Sequence, residues 1–310
     1  GGTNFTTGRW VIASVAASVA TLVGPENVTT GIGASGTGGQ GGALATPGIT
    51  GGLIVAGNTV FVASATYTLT TGSSNVSGVI FSTTVGSEST ITAIQGYNTS
   101  RFVYNTDASR PTIAVPGAGV SSVTIITLGT SYSGDFVRNL IVDGNSKTAI
   151  IGFAGNITAG LCAENCKAVN CTTGFSSLTS AVACLASACG TGFTGTPNCL
   201  RCEASACTTV GFTGTTDNIW TFCLATNCTG AGTDGFAVAA QGSRGQILNC
   251  TAYGNGRDGF NAPIYSRAEI ITNCLSVNNG RWGYFSGGTT STAAFRNCYA
   301  FNNTSGGSSF

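Results

Sequence analysis

The C-terminal half of the chain repeats one pattern of constant and variable positions seven times. Each unit reads Cys-x-Ala-x-x-(Cys or Asn), with Ser276 once in place of the Ala, and an aromatic residue closes the unit. The Cys and the Ala stand two positions apart, so an extended strand points both side chains to one face. The residue between them changes from Lys167 to Leu185 to Thr251 and points to the other face. The pattern predicts strands with a buried Cys-Ala face.

The units follow one another at intervals of 18, 18, 21, 27, 24 and 24 residues. Periods of this size are typical of solenoids, in which each coil stacks on the previous one and equivalent positions form columns. We expect Asn residues in such a column to hydrogen-bond as a ladder, and Cys residues to make the same corner apolar. The predicted ladder positions are Cys166, Cys184, Cys202, Cys223, Cys250, Cys274 and Cys298 at one corner, and Cys171, Cys189, Cys207, Cys228, Asn255, Asn279 and Asn303 at the next. The predicted aromatic column is Phe175, Phe193, Phe212, Phe236, Phe260, Phe285 and Phe310, and the Gly before most of these residues is typical of a turn.

The earlier part of the chain predicts a less regular beginning. Short β-branched segments bounded by Gly, Pro, Asn and Ser run from Asn58 to Asn145, and they predict four or so irregular coils. Residues 1–50 contain two short predicted strands and a Gly-rich connector. We therefore divide the chain into an N-terminal β and Gly-rich segment, 1–50, which would act as a cap or an assembly arm, and a solenoid, 51–310.

The repeat resembles the right-handed parallel β-helix of the pectate-lyase-like superfamily. Residues 57–69 are similar to the opening coil of that family, and residues 136–145 are similar to its entry into the regular repeats, so the resemblance covers 51–310. Segments 94–101 and 110–113 are similar to β-helix proteins of phage particles and bacterial surfaces. The resemblance implies an all-β fold, a right-handed parallel β-helix that follows an irregular Gly-rich N-terminal β segment.

Composition narrows the classes of partner and cofactor. Charged residues are 7% of the chain and the net charge is +1, so nothing attracts nucleic acid. The most apolar stretch, 11–23, is too short to span a bilayer. The thirteen cysteines lack zinc-site spacing and the chain has no His, so we expect neither a metal nor another cofactor. Parallel Cβ vectors in a ladder fit disulfide geometry poorly, which favours free thiols.

The catalytic motifs of the resembled family are absent from the sequence. A pectate lyase of this family would carry a calcium-binding group of acidic residues and a basic residue that acts on the substrate. A polygalacturonase would carry Asn-x-Asp, a pair of Asp residues and Gly-His-Gly. The remaining candidates are Asp234 and Asp258, both in Asp-Gly-Phe, which stacking would place about 5 Å apart, near the carboxylate separation of retaining glycosidases. Arg257 and Arg281 fall in the adjacent column. The alternative is that each Asp caps a tight turn and the Arg residues neutralise it. Candidate carbohydrate platforms are Trp282, Tyr284, Tyr265 and Tyr253.

Three functions remain open at this point. Scarce charge, the missing catalytic motifs and a chain that ends on a coil aromatic without a cap favour a structural or adhesive, non-catalytic component of a virion appendage, particle surface or extracellular filament. Its partners would be copies of itself, as a lateral oligomer or an end-to-end filament, or other particle proteins. The alternatives are a polysaccharide-cleaving enzyme that uses Asp234 and Asp258, and a carbohydrate-binding surface. All three predict an extracellular or virion-surface location.

Overall fold

The computed structural model describes thirteen parts of the chain, and every element in them is a β strand. The described residues are 11–16, 19–23, 59–68, 79–81, 93–97, 110–117, 122–128, 136–157, 160–214, 217–238, 245–263, 270–287 and 293–309. The first two strands, β1 (Val11–Ala16) and β2 (Val19–Val23), pair antiparallel as a hairpin, and β1 lies beside the first solenoid strand. The two N-terminal strands expected from the sequence are therefore present, and the domain boundary at residue 50 stays a prediction.

The other thirty strands form three parallel sheets of ten strands each. Sheet 1 contains β3 (Thr59–Ala63), β6 (Ala93–Tyr97), β9 (Phe136–Arg138), β12 (Cys162–Glu164), β15 (Ser180–Val182), β18 (Asn198–Leu200), β21 (Ile219–Thr221), β24 (Gln246–Leu248), β27 (Ile270–Thr272) and β30 (Ala294–Arg296). Sheet 2 contains β4 (Thr66–Thr68), β7 (Thr112–Ala114), β10 (Ile141–Asp143), β13 (Lys167–Val169), β16 (Leu185–Ser187), β19 (Glu203–Ser205), β22 (Leu224–Thr226), β25 (Thr251–Tyr253), β28 (Leu275–Val277) and β31 (Tyr299–Phe301). Sheet 3 contains β5 (Val79–Phe81), β8 (Val123–Leu128), β11 (Ile150–Ala154), β14 (Thr173–Ser176), β17 (Thr191–Thr194), β20 (Val210–Thr213), β23 (Asp234–Ala237), β26 (Phe260–Pro263), β29 (Trp282–Gly287) and β32 (Gly306–Ser309).

Each coil gives one strand to each sheet in turn, which confirms the right-handed parallel β-helix. We number the coils 1 to 10, from β3–β5 to β30–β32. Within the described residues the first Cys unit begins at Cys166 in coil 4, so three described coils precede the seven regular ones. Four or so early coils were expected from the sequence, and the described residues contain three.

Single residues in the left-handed conformation make two corners of each regular coil. Corner 1 joins sheet 1 to sheet 2, and corner 2 joins sheet 2 to sheet 3. At both corners φ lies between 49° and 66°, a region in which Asn is enriched among non-Gly residues. The corner residue turns the chain, and the Cys or Asn that follows it is at least partly buried. The corner 1 residues are Asn165, Ala183, Arg201, Phe222, Asn249, Asn273 and Asn297, and the corner 2 residues are Asn170, Ala188, Ala206, Asn227, Gly254, Asn278 and Asn302.

Sheets 2 and 3 approach each other closely along a seam of Ala and Gly. A Cβ atom built on Gly192 would lie 2.4 Å from the carbonyl oxygen of Gly211 and 2.9 Å from the Cβ of Ala204. The Ala of the repeated phrase and the Gly before the aromatic therefore face one another with no room for a larger pair. The prediction that these glycines form turns was wrong for Gly192 and Gly211, since both lie inside sheet 3 strands.

A stack of aromatic rings lies inside sheet 3. Neighbouring rings have centroids 4.7 to 5.1 Å apart and planes within 10° of parallel, so the stack follows the rung spacing of the sheet. Its members are Phe153, Phe175, Phe193, Phe212, Phe236, Phe260 and Tyr284. The prediction of Phe285 in this column was wrong, because the register pairs Phe260 with Tyr284. Phe310, also predicted there, lies outside the described residues.

The inward side chains at the corners bind backbone carbonyls of the preceding coil. At corner 2, the thiol of Cys189 donates to Ala168 O at 3.6 Å, and the amide of Asn255 donates to Ala225 O, the equivalent acceptor, at 3.2 Å. Asn255 also donates from its backbone N and its Nδ2 to Asn279 Oδ1, both at 3.0 Å. Replacing Asn by Cys therefore does more than make the corner apolar, since the thiol keeps a weak donor for the same carbonyl.

The corner 1 thiols make the same kind of contact with sheet 1. Cys184 Sγ donates to Ala163 O at 3.5 Å, and Cys250 Sγ donates to Trp220 O at 3.4 Å. All thirteen cysteines are free thiols. Burial raises the pKa of Cys184 and Cys250, so these groups stay protonated at neutral pH and keep their donor hydrogens.

The seam predicts that the chain tolerates no methyl group at Gly192. We expect Gly192→Ala to lower the free energy of unfolding by about 3 kcal/mol, because the backbone of the next coil must move. Thr191→Ala in the same strand, on the outer face, is the control and should change it by about 0.5 kcal/mol or less. Urea denaturation followed by circular dichroism measures both, and equal midpoints for the two variants would contradict the seam.

The Asn ladder gives a second expectation. Asn279→Ala removes the acceptor for the backbone N–H of Asn255 and the donor to Ala252 O, and should cost about 1 to 3 kcal/mol. Asn279→Cys should cost less, because its thiol can still donate to that carbonyl. Thermal unfolding gives the order of stability, and amide exchange at Asn255 should be faster in both variants. An Ala variant as stable as the unmodified protein would show that the ladder contributes nothing.

Candidate functional site

The two predicted carboxylates lie at the entry to sheet 3, each held by an arginine of the next coil. Asp234 accepts from Nε of Arg257 at 2.7 Å and also from Nη2 of the same guanidinium. It accepts further from the backbone N of Asp258 at 3.2 Å and from Nδ2 of Asn261 at 2.7 Å. The hydrogen bond to Asp234 raises the pKa of Arg257, so this guanidinium stays protonated around neutral pH.

The same arrangement recurs one coil later. Asp258 accepts from Nε of Arg281 at 2.8 Å, from its Nη2, and from the backbone N of Trp282 at 3.1 Å. Nε of Arg257 lies 3.7 Å from Oδ2 of Asp258, so the four charged groups form one alternating staircase across coils 7 to 9. Arg281 also lies over the ring of Phe285, 4.5 Å from its centroid.

This geometry favours the turn-capping interpretation over catalysis. The exposed fraction is 3% for Asp234 and 0% for Asp258, and each is fully hydrogen-bonded to its own bidentate arginine and to the next coil. A general acid or nucleophile must reach a substrate atom, and neither carboxylate faces an open groove. The staircase therefore has a structural role, because it is a buried charge network that joins successive coils.

The four candidate platform residues have different environments. Tyr253 ends β25 and is exposed on the outer face of sheet 2. Trp282 is half-buried and its ring lies against Gly306. Tyr284 belongs to the interior stack, and its hydroxyl donates to the carbonyl of Cys274 at 2.7 Å, so its prediction as an exposed platform was wrong. Burial raises the pKa of Tyr284. Tyr265 lies outside the described residues.

Sequence analysis named Tyr253 but missed the other members of an exposed apolar surface in the described chain. It covers the outer face of sheet 2 in coils 8 to 10, where we name it the sheet 2 aromatic face: Tyr253, Leu275, Val277, Tyr299 and Phe301. Tyr299 is 71% exposed and Phe301 53%. Tyr253 and Phe301 flank Val277 in register, and Val277 itself is only 6% exposed. The only available signal was the variable position after each Cys, which changes from Lys167 and Glu203 in the early coils to Leu275 and Tyr299 in the last two.

Arginines border the aromatic face on both sides. Arg257 and Arg281 follow corner 2, and Arg296 ends β30 just before corner 1. In the described part of coils 8 to 10 these three arginines stand against a single acidic residue, Asp258, which is buried. Because Arg257 and Arg281 are already paired with Asp234 and Asp258, they add little net positive charge to the border of the face.

The described residues give two further findings. No three side chains of His, Cys, Asp or Glu come together in them as a metal ion would require. They also contain no apolar helix of membrane-spanning length.

Comparison with known proteins gives the fold. No protein-family model and no curated protein matches the chain. The chain is similar to the A-module of mannuronan C-5 epimerase AlgE4 of Azotobacter vinelandii, with 16% identity, 78% of this chain and 68% of that one covered, and a TM-score of 0.54. The AlgE6 A-module of the same organism has 16% identity, coverage of 79% and 71%, and a TM-score of 0.49. A Geobacillus virus E2 protein, ORF18, has 11% identity, coverage of 78% and 52%, and a TM-score of 0.31. The likeness to AlgE4 shows a shared right-handed parallel β-helix.

The staircase predicts that Asp258 stabilises the fold. Asp258→Ala leaves the partly exposed guanidinium of Arg281 and the backbone N–H of Trp282 without their acceptor, and should lower the free energy of unfolding by about 1 to 3 kcal/mol. Glu203→Gln, on the outer face of β19, is the control and should have little effect. Urea denaturation measures both. A fully stable Asp258→Ala protein would contradict the structural role and return this residue to the catalytic candidates.

Proposed function

We propose that this β-helix binds a polysaccharide along the outer face of sheet 2 without cleaving it. The observation that carries the proposal is the sheet 2 aromatic face, with Tyr299 71% exposed beside Leu275 and Phe301. Contiguous exposed apolar surface on a soluble domain marks a binding site, and aromatic rings combine apolar faces with little conformational freedom. The apolar C–H face of a sugar ring fits such a surface, and the Tyr hydroxyls can bond its hydroxyl groups.

The geometry of the face suits an extended chain of sugars better than a compact ligand. Tyr253 and Phe301 stand two rungs apart in one column, so their backbones are about 10 Å apart along the solenoid axis. Thr226 and Thr251 occupy neighbouring outward positions and supply further hydroxyl groups. Because β25 and β28 are hydrogen-bonded to a strand on each side, this part of the platform loses little entropy when a ligand binds.

The proposal excludes cleavage because the carboxylates of the staircase are buried. Asp234 and Asp258 are paired and inaccessible, and they were the best catalytic candidates in the sequence. The likeness to AlgE4, whose name assigns it an action on mannuronan, supports a carbohydrate ligand by fold only. An extracellular or particle-surface location agrees with such a ligand and belongs to the proposal.

The test is binding of the purified protein to a panel of neutral and anionic polysaccharides by affinity gel electrophoresis. We expect retardation by at least one of them, and Tyr299→Ala or Tyr253→Ala should weaken it about tenfold or more. Leu185→Ala, on the outer face of the same sheet in coil 5, is the matched control and should bind normally. No binding across the panel would refute the proposal. Release of reducing ends or unsaturated products that is lost in Asp258→Asn would replace it by the enzyme alternative.

A further inference from the structure

The outer face of sheet 1 contains a second exposed apolar region, separate from the sheet 2 aromatic face. Ile219 is 45% exposed and Phe222, at corner 1 of the same coil, is 56% exposed. Phe222 adopts φ of 55°, a conformation that is unusual for a bulky side chain, at a corner where the next three coils place Asn. Every regular coil has this φ at corner 1, so the fold imposes the conformation, and the exposed ring of Phe222 beside Ile219 is the feature that indicates a contact surface.

The side chains of this face are arranged almost symmetrically about coil 7. From coil 4 to coil 10, the outward residues at the end of each sheet 1 strand are Glu164, Val182, Leu200, Thr221, Leu248, Thr272 and Arg296. Counting outward from Thr221, the pairs at equal distance are Leu with Leu, Val with Thr, and Glu with Arg. The outward residues at the start of each strand are Cys162, Ser180, Asn198, Ile219, Gln246, Ile270 and Ala294. Around Ile219 the first pair is Asn with Gln.

We propose that this face is an isologous interface between two copies of the chain, with the solenoids antiparallel. A twofold axis along β21 turns one copy over onto the other, keeps each column facing the same column, and reverses the order of the coils. Glu164, which also lies 3.9 Å from Nε of Arg138 in its own copy, then lies opposite Arg296 of the other copy, twice per dimer. Leu200 lies opposite Leu248, and the amides of Asn198 and Gln246 meet.

The position of the twofold axis explains why the two most exposed apolar side chains of this face belong to the same coil. Ile219 and Phe222 lie on the axis, so each packs against its own copy. Between the two charged ends, the outward strand positions of coils 5 to 9 carry no charged residue. The exposed Arg201 at corner 1 of coil 6 would face the corner 1 Asn249 of the other copy at the rim of the contact, where its charge stays hydrated. A parallel arrangement would keep each coil level with itself, so Glu164 in coil 4 and Arg296 in coil 10 would lie six rungs apart and could not pair across the interface.

The size of the face sets the expected affinity. Six rung spacings and three residues per strand give a surface about 29 Å by 10 Å, extended at corner 1 by Phe222. This footprint of about 290 Å² per copy is smaller than that of standard specific interfaces, which bury about 800 Å² per partner. We therefore expect a weak, transient dimer that forms only at high protein concentration.

Charge reversal tests the arrangement by analytical ultracentrifugation over a concentration series. Glu164→Arg and Arg296→Glu should each weaken dimerisation about tenfold, because each places like charges together twice. An equimolar mixture of the two variants should dimerise again, since every contact in the mixed dimer joins opposite charges. Glu203→Arg, on sheet 2, is the control and should dimerise as the unmodified protein does. Circular dichroism checks that each variant is folded.

A second variant removes the apolar contact on the axis. Phe222→Asn replaces a strained corner residue by the one that neighbouring coils use, so it should fold at least as stably and dimerise about tenfold less tightly. A protein that is monomeric at all concentrations would overturn the proposal. So would a dimer that Phe222→Asn leaves intact, or charge variants whose mixture fails to dimerise.

Discussion

The closeness of sheets 2 and 3 is the constraint on which the rest of the solenoid depends. Where a Cβ on Gly192 would lie 2.4 Å from a backbone oxygen, only Gly can stand, and only Ala, or a small polar residue such as Ser276, can face it. The seam narrows the coil at this edge, so the large rings stack in the wider space beside it. In-register stacking then follows, because a coil shifted by one residue would push its aromatic side chain into the Gly position.

The inward residue at corner 2 changes from Cys to Asn along the solenoid, close to the coil where the charge network begins. The early coils use Cys there, while coils 8 to 10 use Asn255, Asn279 and Asn303, which bond one another as well as the backbone. The buried staircase of Asp234 and Asp258 begins in coil 7, just before the first Asn. A polar interior is stable here because every amide and carboxylate in these two networks has a backbone or side-chain partner from an adjacent coil.

The columns of equivalent residues could be predicted from the sequence because they repeat. The predictions that were wrong concern positions where side chains do not alternate between the two faces of a strand. Spacing alone put Cys166, Cys184 and Asn255 at the corners, since small residues at a fixed interval have one simple explanation. In sheet 3, Gly and the aromatic are adjacent and both buried, which departs from a period of two. For that reason the Gly looked like a turn residue, and Tyr284 could not be distinguished from Phe285.

The exposure of individual side chains on the outer faces could not be predicted, for a different reason. A side chain at a variable position is exposed or covered according to its neighbours on the rungs above and below, and Val277 between Tyr253 and Phe301 shows both outcomes within one column. Solenoid geometry separates such faces by corners, so an aromatic surface on sheet 2 and an uncharged surface on sheet 1 can serve different partners. In the proposed dimer, whose twofold axis runs along β21, corner 1 of both copies lies on the same side. The sheet 2 faces of the two copies, which follow corner 1, therefore lie on that side as well. Two weak sugar-binding faces would then act on one polysaccharide, and avidity could exceed the affinity of either face alone.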